Sequence, residues 1–175
     1  YLENGNVLGA AANPACRVDL LTQGWAVLAG APRAFDALQA ATRRLTDEAQ
    51  KAVALCEPAV DGHWAERAEA WPGQDHRALA LAALGFARAG DAQAAWRLAR
   101  LLDPLARSGT PQDCARYAAP PYFVADGVRT IAPYPGRAIG DCFTGAAAWS
   151  WLALAEGLLG VRRAGAQLSL RPRLA

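Results

Sequence analysis

Apolar residues recur at helical spacing from Val18 to Leu28, with Leu20, Leu21, Trp25, Val27 and Leu28 in the series. After Gly30-Ala31-Pro32 a second periodic stretch runs from about Arg33 to Leu45, and the two predict a helical hairpin. Gly30 is expected to supply a left-handed C-terminal cap. Pro32 is expected in the first turn of the next helix, where its missing N–H would be unpaired in any case. A second hairpin is predicted from Ala78 to Ala89, then Gly90-Asp91, then Ala92 to Leu102, with Asp91 as cap and Pro104 as stop. At the offset that superposes Gly30 on Gly90, Ala34, Leu38 and Leu45 fall on Ala94, Leu98 and Leu105, a weak internal repeat of paired helices.

Between the hairpins, Glu57 to Gln74 holds Pro58, Gly62, Pro72 and Gly73 and reads as a loop; Ser108 to Asp141 reads as a longer irregular region. Tyr122 to Ala125 is expected as a short extended piece. Thr144 to Leu159 is a third strong helix, apolar around most of its circumference and therefore expected to be deeply buried. Gly160 ends it, and the alternation in Gln167 to Leu170 predicts a terminal strand. The pattern is mainly α, with a short C-terminal β segment.

Composition narrows the function classes. The 175 residues are 53% hydrophobic and 19% charged, which excludes disorder. A net charge of +2 from 18 basic and 16 acidic residues gives neither a nucleic-acid footprint nor a polybasic membrane anchor. There is no apolar run of about 18 residues and no charged-then-apolar leader, so the expectation is a soluble, cytoplasmic chain without a membrane segment. Methionine is absent, so Tyr1 is not expected to be a natural start and the chain is expected to be a piece of a longer protein. Cys16, Cys56, Cys114 and Cys142 form no C-x-x-C pair, and His63 and His76 are the only histidines, which argues against zinc. Free buried thiols are expected, with a disulfide as the alternative.

Cys16-Arg17-Val18-Asp19 and Gln23 to Gly30 are followed in order by Gly90-Asp91, Leu101-Leu102-Asp103-Pro104, Thr110-Pro111, Pro121-Tyr122, Gly136-Arg137, Phe143-Thr144-Gly145, Trp149 and Glu156 to Arg162. This collinear set resembles the cellobiose phosphorylase family, the family 94 inverting glycoside phosphorylases, including the version found in cyclic β-1,2-glucan synthases. The resemblance covers nearly the whole chain and falls in the C-terminal half of the family's catalytic domain. It implies an (α/α)6 barrel with a short β-containing tail. Residues 1–160 would then be the helical-hairpin part of that toroid and 161–175 the tail. Such a barrel takes about twelve helices, and a chain of this length supplies about half.

The resemblance also implies chemistry. Inorganic phosphate, as co-substrate and with no other cofactor, attacks the anomeric carbon of a β-linked glucoside or glucan while a carboxylic acid protonates the leaving oxygen. Thr144 and Gly145 match the family's phosphate-binding pair. Physical reading of the residues agrees, since they open a helix whose N-terminal N–H groups and dipole favour an anion; Thr144 as a simple N-cap is the alternative. Gly73-Gln74-Asp75-His76-Arg77 stands where the family has a Gly-Gln segment, with Gln74 on the sugar side, leading to a phosphate-contacting histidine. Counted back from Gly90, that histidine falls on Arg77, with His76 one place early, so either residue is a candidate.

Several positions depart from the family. Its acidic sugar-binding residue falls on Ala70, with Glu66 or Glu69 as substitutes. The aromatic stretch before Thr144 reads Ile139-Gly140-Asp141-Cys142-Phe143, and Asp141 beside phosphate would add repulsion. The general acid lies in a segment upstream of everything in this chain, and neither Glu3 nor Asp19 takes its place, so the isolated chain is expected to be inactive. Trp64 and Trp71 are candidate sugar platforms and Arg137, in a matching Gly-Arg step, a candidate substrate contact. The parent is expected at an inner-membrane glucan synthase, and an upstream half-barrel or self-association is expected to cover the apolar surplus. The alternative is a degenerate, noncatalytic helical module that binds a glycan or another chain.

Overall fold

The structure, a computed structural model, describes residues 9, 12, 16–58, 73–140 and 145–173. Within these the fold is mainly α. Helix α1 (Leu20–Leu28) opens under Asp19, whose carboxylate accepts from the Thr22 amide at 2.6 Å, and α2 (Ala34–Leu45) returns against it. Gly30 takes the left-handed conformation at φ 69°, as the hairpin requires. Arg33 adopts φ 59° at the N-cap of α2, so Pro32 lies before the helix and not in its first turn.

The centre of the molecule is α3 (His76–Ala89), in which every residue from Ala78 to Ala87 is buried. It packs against α1, α2, α4 (Ala92–Arg100) and α6 (Gly145–Leu152). Small residues make this crowding possible: a methyl group at Gly24 of α1 would stand 3.2 Å from the Leu81–Ala82 backbone of α3. Gly90 at φ 94° caps α3, and Asp91 caps α4 by accepting from the Ala94 amide at 2.9 Å. α4 ends at Arg100, two residues short of the expected Leu102. The internal repeat holds for Ala34 and Leu38 against Ala94 and Leu98, all buried, and fails at its third step, where Leu45 is buried and Leu105 is exposed.

α6 continues as a wider π turn over Ala153–Leu158. The expectation of deep burial is corrected here. Ala146, Ser150, Ala153, Gly157 and Leu158 face the core, whereas Trp151 is 64% exposed and Leu154 and Leu159 are open. Trp149 packs edge-on against Trp25, with ring centroids 5.4 Å apart.

The long region after Ser108 is more ordered than its Pro and Gly content implies. Thr110 caps α5 (Pro111–Tyr117), with Pro111 in the first turn. A three-stranded antiparallel sheet joins β5 (Gly73–Asp75), β6 (Gly127–Arg129) and β7 (Ala138–Ile139), pairing Asp75 with Gly127 and Gly127 with Ile139. The extended segment is thus Gly127–Arg129 and not Tyr122 to Ala125. β1 (Val18–Asp19) pairs with β4 (Cys56–Glu57), and β2 (Thr46–Asp47) with β3 (Ala52–Val53). The expected terminal strand, β9 (Gln167–Leu170), forms a hairpin with β8 (Val161–Ala164).

Candidate functional site

Three chain segments meet at the start of α6. The first is the β5–α3 junction, where Asp75 ends the strand and caps the helix: its Oδ1 accepts from the amides of Arg77 and Ala78, both at 2.9 Å. The second is the approach to β6, where the amide of Asp126 donates to the Ile139 carbonyl at 2.9 Å and its own carbonyl accepts from the His76 amide at 2.8 Å. The third is α6 itself. A methyl group at Gly145 would lie 3.9 Å from Cδ of Arg77, so the Arg77 side chain borders the first residue of that helix.

This geometry separates the two residues that the sequence left as alternatives. His76 is 1% exposed, with Nδ1 2.7 Å from the carbonyl oxygen of Ala125. Burial is the main force on its ring, pulling the pKa from 6.5 down to about 4, so the imidazole is neutral and Nδ1–H donates to Ala125. Arg77 is exposed and reaches the helix start. Its guanidinium is paired with Asp75, Nη2 to Oδ2 at 2.8 Å, and this hydrogen bond raises its pKa.

Gln74 takes a structural place. It is fully buried; its Oε1 accepts from the Val53 amide at 3.1 Å and its Nε2 donates to the Leu101 carbonyl at 3.2 Å. Both ends of its amide therefore tie β5 to β3 and to the end of α4. Arg137 lies over the Tyr134 ring, 5.2 Å from its centroid. Thr144, Trp64, Trp71, Ala70, Glu66, Glu69, His63, Glu3, Asp141 and Cys142 lie outside the described residues.

Two carboxylates at this junction were not singled out from the sequence. Asp75 was visible within the quoted Gly-Gln segment. Asp126 directly precedes the Gly127 strand, and nothing in its local pattern placed it at a helix start. Its carboxyl is raised above the usual range by burial and by Asp75, against the lowering effects of Arg77 and of the Ala146 amide that donates to it. The chemical result is an anion-favouring helix start with one guanidinium beside it and two carboxylates already in place.

Among the described residues, no group of three His, Cys, Asp or Glu side chains is placed to hold a metal ion, and no helix is long and apolar enough to cross a membrane. Cys16 and Cys56 are buried thiols that hydrogen-bond to each other, and Cys114 is an exposed thiol.

The family model of the glycosyl hydrolase 94 superfamily, catalytic domain, matches residues 1–160. The chain is also similar to a cyclic beta-(1,2)-glucan synthase, NdvB, of Rhizobium meliloti (strain 1021), at 31% identity. That similarity covers 99% of this chain and 7% of the relative's own length.

Proposed function

Because the chain belongs to the glycosyl hydrolase 94 superfamily, we propose that it is the C-terminal portion of a glycoside phosphorylase-like domain, with a phosphate subsite at the start of α6. The observation that carries this reading is the position of Arg77 beside Gly145. A guanidinium next to a helix N-terminus offers an oxyanion both charge and directed donors. In the parent, phosphate oxygen would form a bond to the anomeric carbon of a β-glucoside from the face opposite the leaving group. The glycosidic C–O bond would break as a carboxylic acid, supplied by another part of the parent, gives its proton to the departing oxygen. The products would be an inverted sugar 1-phosphate and the shortened glycan. In this reading the helical hairpins are an arc of an (α/α)6 barrel, and the rest of the barrel would cover the exposed Trp25 and Trp151.

One observation favours the noncatalytic alternative. The Arg77 guanidinium is engaged by Asp75, and the Ala146 amide is engaged by Asp126, so phosphate has to compete with two fixed carboxylates. Isothermal titration with phosphate separates the readings. The phosphorylase-like site predicts binding that Arg77→Ala and Thr144→Ala each weaken at least tenfold. No binding, or binding indifferent to both substitutions, overturns it.

A further inference from the structure

We propose that a cavity bounded by the chain after α2, the end of α4, α5 and β6 is a binding site for a small phosphate ester. It is separate from the start of α6 and does not rest on the phosphorylase reading. The cavity holds about 480 Å³, within the range of about 300–1,000 Å³ typical of small-molecule sites and more than a lone oxyanion needs. Five of its lining residues are cationic, Lys51, Arg100, Arg107, Arg116 and Arg129, against one carboxylate, Asp113. That carboxylate is turned toward its own helix start, where Thr110 Oγ1 donates to Asp113 Oδ2 at 2.7 Å and accepts from the Asp113 amide at 3.1 Å.

Arg107 supplies the second observation. Its Nη2 donates to the Lys51 carbonyl at 3.0 Å and the Leu101 carbonyl at 3.4 Å, which fixes the guanidinium in the cavity wall. Its Nε is shielded from solvent and has no hydrogen-bond partner, and among the described residues no carboxylate pairs with it. Burial lowers its pKa, and the Tyr117 phenol, not a carboxylate, is the group that opposes that effect. A partly desolvated guanidinium stays charged and gains from a counter-anion, so this wall favours an anion. Tyr117, 1% exposed, adds a further donor: its hydroxyl lies by the Ala125 backbone amide, and among the described residues no acceptor takes its proton. A wall so rich in N–H and O–H donors and so poor in free acceptors matches the acceptor oxygens of a phosphate group. The forked guanidiniums suit its geometry, and the remaining volume takes a sugar-sized polar body.

The test is isothermal titration of the chain with glucose 6-phosphate, inorganic phosphate and glucose. It is run on the unsubstituted chain, on the Arg100→Ala/Arg116→Ala pair, whose side chains are exposed, and on Thr144→Ala. The expected result is binding of the ester, at least tenfold weaker in the arginine pair, unchanged in Thr144→Ala and absent for glucose. Circular dichroism should show both variants folded. No binding, binding insensitive to the arginine pair, or binding abolished by Thr144→Ala overturns the proposal. Inorganic phosphate binding as tightly as the ester, and weakened by the arginine pair but not by Thr144→Ala, makes the free ion the occupant and overturns the assignment to an ester. Failure of phosphate at the start of α6 leaves this result untouched, because the two sites answer to different substitutions.

Discussion

Nδ1 of His76 stands 2.7 Å from the carbonyl oxygen of Ala125, a bond that fastens the first residue of the central helix to the chain entering β6. The ring is neutral because burial, assisted by nearby Arg107, outweighs the Ala125 bond and Asp75, and its pKa falls to about 4. In the unfolded chain a histidine takes up its proton near pH 6.5. Between about pH 4 and 6.5 the unfolded state therefore binds more protons, and stability falls as pH falls through that window. The full contribution, about 3 kcal/mol, is present above pH 6.5. Urea unfolding between pH 7 and 5 should show a falling midpoint that His76→Gln flattens. Equal slopes in the two proteins would refute the assignment.

Asp75 has two tasks that substitution can separate. Its Oδ1 caps α3 while its Oδ2 holds Arg77. Asp75→Ala removes both and should cost about 1 kcal/mol, the usual worth of a capping side chain. Asp75→Ser keeps a capping oxygen and releases Arg77 toward Gly145. Thermal unfolding should rank Ser above Ala, and the Ser variant should bind phosphate more tightly than the parent. Weaker binding in the Ser variant would mean that the ion pair holds Arg77 in its useful position.

The helices were legible because their signals are local. Asp91 and Gly90 cap where capping chemistry requires, and the apolar spacing of α1 and α2 placed both within two residues. α5 was missed although Thr110-Pro111-Gln112-Asp113 carries its start signal, because a seven-residue helix gives too little periodicity beside so much Pro and Gly. The β5–β6–β7 sheet has no such signal: its strands are two or three residues long, and they pair because Gly73 and Gly127 let backbones approach where a side chain would collide with the Val128 and Gln74 carbonyls. The candidate site was half legible. Gly145 and Arg77 stood out as residues of the right chemistry, but that Arg77 rather than His76 reaches the helix follows from which one the core buries. The role of Gln74 as a tie between β3 and α4 depends on contacts distant in sequence.

The thiols should differ sharply in reactivity. Cys114 is exposed, whereas Cys16 and Cys56 are buried against each other, and burial together with Asp19 pushes the Cys16 thiol up. Since the thiolate is the reacting form, native alkylation at pH 8 should modify Cys114 at least tenfold faster than Cys16. Peptide mapping by mass spectrometry reads the order, and denaturant should abolish it. Equal native rates would show that β1 and β4 open readily.

Asp126 decides how well the start of α6 can receive an anion. Its carboxylate accepts from the Ala146 amide, one of the N–H groups that an incoming oxyanion needs. An ionised Asp126 therefore both occupies a donor and repels the ligand. Because burial raises its pKa, acidification neutralises it earlier than an exposed aspartate, and oxyanion affinity should rise as pH falls toward that range. Sulfate is the suitable probe, since its own charge is constant across this range. Asp126→Asn preserves size while removing the charge, so it should bind sulfate several-fold more tightly at pH 7 and lose most of the pH dependence. Titration calorimetry at pH 7 and pH 5 on both proteins provides the measurement. If Asp126→Asn binds less tightly than the parent at pH 7, the carboxylate is supporting the site and its repulsive role is wrong.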